Sequence, residues 1–376
     1  MCDNCTKFGE RSIEMHVHGN TAIIDRELKK SVCIQTSNSI ITSITFDCTQ
    51  APDSNYDGTI IPGFVDIHAH GGGGYSFSDP DIDHVITARK THLNHGTTTQ
   101  NASLVTESLE TLRKQVTKLA PLVRAKIFAG IHLEGPYLSP QQCGAHDPNL
   151  LRTPNIDELG ALLDESENSI TMITLAPELE NALEATEFLV ARGVTVALGH
   201  SQADLVTTQK AIKAGAKLIT HYSNGMPKLH QQEGSITNIP SHYPHFPLEI
   251  IIDQTHVTNE ILNNVLSVPE RLILITDSMA AAGADDGEYT IGSLEVIVKD
   301  RVARLKSNNS LAGSTLTMDV AFMNLINFGV PITNCVHAAS TLPAEILGMT
   351  SVGSINVGKS AGLLEYSELG IRVIEV

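Results

Sequence analysis

Short apolar, β-branched runs recur along the chain and alternate with stretches of helical period. Eight runs stand out: "TIIPGFVDI" (59–67), "TTTQNASL" (97–104), "KIFAGIHLE" (126–134), "SITMITLAP" (169–177), "VTVALGH" (194–200), "AKLITHY" (216–222), "LEIIIDQTH" (248–256) and "RLILITDS" (271–278). Between several of them apolar positions recur as on one face of a helix, in "ESLETLRKQVTKLAPLV", "LENALEATEFLVARG" and "ADLVTTQKAIKAG". Glycine closes the last two, as a helix C-terminus prefers. Continuously apolar strands alternating with helices belong to a parallel sheet covered on both faces. Eight such units predict an α/β fold, a closed (β/α)8 barrel of the TIM type. An open doubly wound sheet predicts G-x-G-x-x-G after its first strand. The segment there reads "HGGGGYSFSD" and follows two histidines, so that alternative is set aside.

The chain ends break the pattern. "SIEMHVHGNTAIID", "SVCIQTSNSIITSITF" and "GSINVGKSAGLLEYSELGIRVIEV" read as short antiparallel strands between polar turns. Residues 1–57 and 341–376 are expected to pair into a small β-sandwich domain, with the barrel over 58–340. "EYTIGSLEVIVKDRVARL" (288–305) reads as a β-hairpin inserted after the eighth strand, followed by helices at 315–328 and 333–348.

Composition narrows the function. The 376 residues are 41% hydrophobic, enough for a large core, but only 4% aromatic with no Trp, which argues against a stacking surface for single-stranded nucleic acid. A formal charge of -17 disfavours nucleic acid and anionic membrane surfaces as partners. Six irregularly placed cysteines make no disulfide framework. Cys2 and Cys5 have metal-knuckle spacing but lack a second pair, and read as ordinary reduced thiols. The N-terminus has no apolar signal segment and no run approaches membrane-spanning length, so a cytoplasmic protein is expected.

Chemistry in such a barrel gathers at the C-terminal ends of the strands. There the first run carries His68 and His70, the third Glu134, the fifth His200, the sixth His221 and the eighth Asp277. A single strand-end histidine is more often structural than a ligand, and Glu134 alone reads as a helix cap. Six metal-competent groups on one rim are harder to explain that way. Alternation along a strand sends His68 and His70 to the same side. Imidazole and carboxylate together suit Zn, Fe or Mn. The glycines at 71–74 are expected to let backbone approach the site or a substrate. Asp277 beside such a metal is placed to act as general base and then acid.

The pieces "PGFVDIHAHG", "HLEGPYLSP", "GAHDPNLL", "LGHSQA", "THYSNGM", "DQTHV", "ITDSMAAAG" and "LAGSTLTM" together resemble the amidohydrolase superfamily and, within it, the N-acetylglucosamine-6-phosphate deacetylases. The resemblance runs in family order from about residue 60 to 320, and the β-rich ends fit the family's small sandwich. It implies a metal-dependent hydrolase that removes acetate from an N-acetyl amino sugar in amino-sugar catabolism. It also implies one or two divalent ions, Zn before Fe or Mn, and a homodimer. Glu134, His200 and His221 match the common metal ligands, and His68 and His70 match the H-x-H of members with a second metal. Asp277 matches the catalytic carboxylate, and His146 a histidine that contacts substrate and polarises the acetamide. Asn224, Gly225, His256 and Leu311 match substrate contacts, Gly225 standing where the family has Ala. The segment "MPKLHQQEGSI" departs further: Gln232 takes the place of the phosphate-binding Arg. Gln lacks the charge and the fork that suit phosphate, leaving Lys228 or His230 to replace it. A deacetylase of N-acetylgalactosamine-6-phosphate or of a non-phosphorylated sugar is the alternative this departure raises. Ring-opening amidohydrolases bridge their metals with a carboxylated Lys after strand four, where this chain has "ITLAPE". A nucleoside deaminase carries a different His and Glu arrangement, and a non-catalytic sensor would have lost ligands.

Overall fold

The computed structural model describes residues 14–46, 48, 51–228 and 234–375. At its centre are eight strands: β1 (Phe64–Asp66), β2 (Thr97–Leu104), β3 (Gly130–Glu134), β4 (Ile170–Leu175), β5 (Thr195–Leu198), β6 (Leu218–Ile219), β7 (Leu248–Ile251) and β8 (Leu272–Ile275). Each pairs in parallel with its neighbour in sequence. The ring closes between β8 and β1: Asp277 N–H donates to the His68 carbonyl at 2.9 Å and His70 N–H to the Ser278 carbonyl at 2.7 Å. The strands are apolar because both faces are covered. Ile131, Val196, Ile250 and Ile273 are fully buried, in one core with the helix residues Leu112, Val116, Leu162 and Leu189. Each such side chain contributes about 1.5–3 kcal/mol by leaving water.

The loops leaving the C-terminal strand ends are turned into helices by side-chain caps. Ser108 accepts from Thr111 N–H, Asn155 from Glu158 N–H, Asp204 from Thr207 N–H and Thr258 from Ile261 N–H. Each cap stabilises its helix by about 1 kcal/mol and holds one loop of the rim.

Both chain ends meet in a six-stranded sheet. Its order is Gly370–Ile374, Leu363–Ser367, Ser54–Pro62, Glu14–Ile24, Glu27–Ser37, Ile40–Thr45. Alternation divides its faces. Ile60 and Leu363 pack with Val17, Ile34 and Ile41, whereas their neighbours Ile61 and Leu364 join the barrel core. The hairpin expected at 288–305 gains a third strand: Gly287–Ile291, Leu294–Lys299 and Val302–Leu305 form an antiparallel sheet packed on Met279 and Val105. The helix expected at 315–328 spans Met318–Asn327, and that at 333–348 divides into Ile332–Val336, a π turn at His337–Thr341, and Leu342–Ile346.

One reading of the sequence is corrected. The glycines at 71–74 serve a turn: Gly71–Gly72 pairs with Tyr75–Ser76 in a tight hairpin, and a Cβ on Gly72 would lie 2.8 Å from His92 Nε2. They fit that hairpin against the helix Ile82–Asn94 and do not line the site pocket. Cys33 and Cys48 form one disulfide, while Cys143 and Cys335 are free. Cys2 and Cys5 lie outside the described residues. Among the described residues no helix is long and apolar enough to cross a membrane.

Candidate active site

The strand-end residues leave the β conformation in order to aim inward. His200 (φ 47°), His221 (φ 23°) and Asp277 (φ 48°) all occupy the left-handed side of backbone space. Such positions cost about 1–3 kcal/mol each and persist where the surroundings fix them. Here the fixing bonds are visible: Ser139 N–H donates to the His200 carbonyl, Tyr222 N–H to the Glu249 carbonyl, and Ser314 N–H to the Asp277 carbonyl.

Two groups of metal-competent atoms result, and Glu134 belongs to both: His68, His70, Glu134 and Asp277 in one, Glu134, His200 and His221 in the other. In the first, His68 Nε2 lies 3.4 Å from Glu134 Oε1 and 3.5 Å from Asp277 Oδ1. His70 Nε2 lies 3.2 Å from Glu134 Oε2 and 3.3 Å from Asp277 Oδ1. In the second, Glu134 Oε1 is 3.1 Å from His200 Nε2 and 2.9 Å from His221 Nε2.

The outer hydrogen bonds fix which ring nitrogen carries the proton. His200 Nδ1 donates to the Gln142 carbonyl at 2.8 Å and His221 Nδ1 to the Asn224 carbonyl at 3.1 Å. Both Nε2 lone pairs therefore face one another, 3.0 Å apart, beside the Glu134 carboxylate. His68 Nδ1 donates to Glu249 Oε2 at 3.1 Å, so its Nε2 lone pair points at His70 Nε2, 3.2 Å away. With the rings neutral, these nitrogens are acceptors that converge beside carboxylates, an arrangement that fits a cation. Nitrogen and carboxylate donors suit a divalent ion of the Zn, Fe or Mn kind. Glu134, Asp277 and Glu249 also bring three carboxylates into one buried centre, where uncompensated charge is costly.

The protonation pattern in the absence of an ion follows from this crowding. Burial opposes charge on Glu134, yet His68 and His146 hold its carboxyl well below the usual range. Burial likewise opposes charge on Asp277, and the His68 charge with a hydrogen bond from His70 outweighs it, so its carboxyl is lowered. Burial pulls His68 down, but Glu134, Asp277 and Glu249 push it well up, and His70 is raised by Asp277 and Glu134 in the same way. His146 is pushed down to about 4, chiefly by burial. Its Nδ1 accepts from the Thr106 N–H at 3.3 Å, so the neutral ring carries its proton on Nε2. That N–H lies 3.4 Å from Glu134 Oε2 and is a ready donor.

A cavity of about 290 Å³ opens over these groups. Its wall includes Glu134, His146, His200, His221 and Asp277, together with Asn224, Gly225, His256 and Leu311. His68 and His70 lie buried beneath it. Gly225 has φ +60°, and a Cβ there would stand 2.8 Å from His200 Nδ1, so the loop packs on that ring because the residue is Gly and not Ala. His256 Nδ1 donates to Asp253 Oδ2 at 2.7 Å, which leaves its Nε2 as an acceptor. Lys228 is exposed and does not line this cavity. His230 and Gln232 lie outside the described residues.

Three contributors escape the strand-end reading: Glu249, Asp253 and His132. Asp253 also accepts the N–H groups of Thr255 and His256 at 2.8 and 2.9 Å. His132 stands edge-on to His68 with ring centres 4.5 Å apart, held by Ser103 and Thr174 hydroxyls at 2.9 and 2.8 Å. Burial and the nearby His68 charge push its pKa well down. The available signal was a charged or titratable residue inside an apolar run, "LEIII" and "IHLE", since a buried polar group demands a partner.

Comparison with known proteins follows the same lines. The amidohydrolase family model matches residues 59–364. The N-acetylgalactosamine-6-phosphate deacetylase of Escherichia coli O157:H7 is 36% identical over 327 residues, 84% of this chain and 85% of its own. The N-acetylglucosamine-6-phosphate deacetylase of Vibrio furnissii is 35% identical over 315 residues, 82% of this chain and 79% of its own. The solved Asp-to-Ala mutant of the N-acetyl-D-glucosamine-6-phosphate deacetylase of Mycobacterium smegmatis, in complex with N-acetyl-D-glucosamine-6-phosphate, superposes with a TM-score of 0.92 at 36% identity, covering 96% of this chain and 97% of that one. With the family model spanning the barrel and relatives of this similarity spanning most of the chain, this protein belongs to the amidohydrolase family.

Proposed function

We propose that the protein hydrolyses the acetamide of N-acetylglucosamine-6-phosphate to acetate and glucosamine-6-phosphate. The observation that carries this reading is the pairing of an ionised Asp277 and an Nε2–H donor on His146 across one cavity, above two ligand groups joined by Glu134. The named activities of its relatives supply the substrate. The role of each residue is part of the proposal. Glu134, His200 and His221 would hold one divalent ion, and His68, His70, Glu134 and Asp277 would hold a second where two are bound; zinc suits the donor set best. Such an ion supplies Lewis acidity and lowers the pKa of water toward about 7. His146 donates to the carbonyl oxygen as negative charge develops there. Asp277 takes a proton from the attacking water and returns it to the sugar nitrogen as the C–N bond breaks. His256, fixed by Asp253, accepts from a sugar hydroxyl, while Asn224, Gly225 and Leu311 shape the cavity. At the phosphate end, Lys228 or His230 is taken to supply the cation that Gln232 does not.

We further propose a small β-sandwich domain at 1–57 and 341–376 beside a barrel at 58–340, a homodimer, and a cytoplasmic location. The location is supported by the substrate, since a sugar phosphate does not cross a membrane unaided.

The test is acetate release, with added zinc, from N-acetylglucosamine-6-phosphate, N-acetylgalactosamine-6-phosphate and free N-acetylglucosamine. Preferred turnover of the first is expected. Turnover of none of the three would overturn the reading.

A further inference from the structure

We propose that Glu249 is a positioning residue that decides whether the chain holds one ion or two, by setting the affinity of the His68–His70 half of the site. The proposal rests on the metal-dependent reading above. Glu249 is the second residue of β7, and alternation turns it into the barrel interior, where it is fully buried. Its Oε2 accepts three hydrogen bonds: from His68 Nδ1 at 3.1 Å, from Thr220 Oγ1 at 2.7 Å and from His221 N–H at 3.2 Å. Oε1 is buried with no partner among the described residues.

The two halves of the site are anchored differently. The rings of His200 and His221 are held by backbone carbonyls of Gln142 and Asn224, which no side-chain change removes. In the other half, His70 Nδ1 is buried without a partner among the described residues. The orientation of that half therefore depends on His68, and the acceptor for His68 Nδ1 is the Glu249 carboxylate. The Thr220 hydroxyl, which gives its hydrogen to Glu249, offers the same nitrogen only a longer, uncharged acceptor at 3.3 Å, against 3.1 Å to the carboxylate. A carboxylate behind a ligand imidazole fixes its tautomer and makes its other nitrogen a stronger donor. Loss of Glu249 removes both effects from the His68 half; from the other half it removes one backbone hydrogen bond, that of the His221 N–H, and leaves both ring anchors in place.

Full-length protein stripped with a chelator and titrated calorimetrically with zinc tests this, with bound zinc counted by elemental analysis after dialysis. The wild type is expected to bind two ions per chain. In Glu249→Ala one ion weakens about 10- to 100-fold while the other stays within about threefold, and His68→Asn reproduces that pattern. Glu249→Gln, which keeps an oxygen acceptor but not the charge, falls between; if the Ala variant does not fold by circular dichroism, the Gln variant carries the comparison. Equal weakening of both ions, no weakening of either, or a single ion in the wild type would each overturn the proposal. Failure of the wild type to bind any zinc would instead sink the metal-dependent reading itself.

Discussion

Asp277 reaches the cavity through a backbone turn at φ 48°, with its N–H spent on the His68 carbonyl and its carbonyl on the Ser314 N–H. Its carboxyl is free to stand beside His68 and His70, which keep it ionised against the cost of burial. A group so placed can accept a proton, and its loss should be felt in turnover and not in folding. Asp277→Asn keeps the volume and an oxygen near the histidines but cannot carry the proton. We expect kcat to fall about 10²- to 10⁴-fold, with the circular dichroism spectrum unchanged. A kcat within tenfold of wild type would remove Asp277 from the proton path. At this scale the strand-end residues were legible because barrel geometry gives their position a meaning. Glu249 and Asp253 were not, for a physical reason. Glu249 acts on a ring 181 positions away, and a contact of that range leaves no local spacing to read. Asp253 works three residues from His256, but its carboxylate looks like any turn-forming Asp until the imidazole is seen on it.

At the scale of elements, strand lengths follow the chemistry. The run "AKLITHY" yields only Leu218–Ile219 as strand, because the chain must leave the sheet to turn His221 inward; β5 and β8 stop just before His200 and Asp277 for the same reason. Apolar periodicity cannot reveal such early endings, since the residues past them remain buried. The glycine hairpin shows the same limit, because its constraint comes from a helix. On that helix, Ile82–Asn94, His92 is buried and donates from Nε2 to the Gly71 carbonyl at 2.8 Å. Burial pushes the His92 pKa down from 6.5 to about 4, against that hydrogen bond and with help from the charge of Arg89. The unfolded chain thus takes up a proton near pH 6.5 that the folded chain refuses until about pH 4. Stability that is whole above the higher value is lost as pH falls toward the lower, roughly 2 kcal/mol of it by pH 5 from this residue. His92→Gln keeps a donor for Gly71 and does not titrate. Urea unfolding at pH 7, 6 and 5 should show a flatter pH dependence for that variant, and identical slopes would refute the assignment.

The whole molecule joins a barrel whose strands are read in chain order to a sheet built from both ends. Eight repeating units announce the barrel, and β-rich ends without intervening helices announce the sheet. The third strand at Val302–Leu305 was hidden within a hairpin reading because four residues carry too little alternation to count. What no local pattern shows is how the closed ring concentrates charge. The chain carries a formal -17, and ring closure brings Glu134, Asp277 and Glu249 together behind low-dielectric walls. Without an ion, those carboxylates favour protons on His68 and His70, whose pKa values they raise against the effect of burial. An ion must displace those protons, so its binding is linked both to pH and to the stability of the barrel. Zinc titrated at pH 7 into stripped protein, in buffers of differing ionisation heat, should release roughly one to two protons per chain. Because the folded centre binds the ion and the unfolded chain does not hold its ligands together, zinc at about a hundredfold above Kd adds roughly 2.7 kcal/mol per ion. A chelator should therefore lower Tm by roughly 5 °C or more, and zinc should restore it, less effectively at pH 6 than at pH 7.5. A melting temperature indifferent to chelator, or a recovery that improves as pH falls, would mean that the convergent acceptors are satisfied by protons and not by metal.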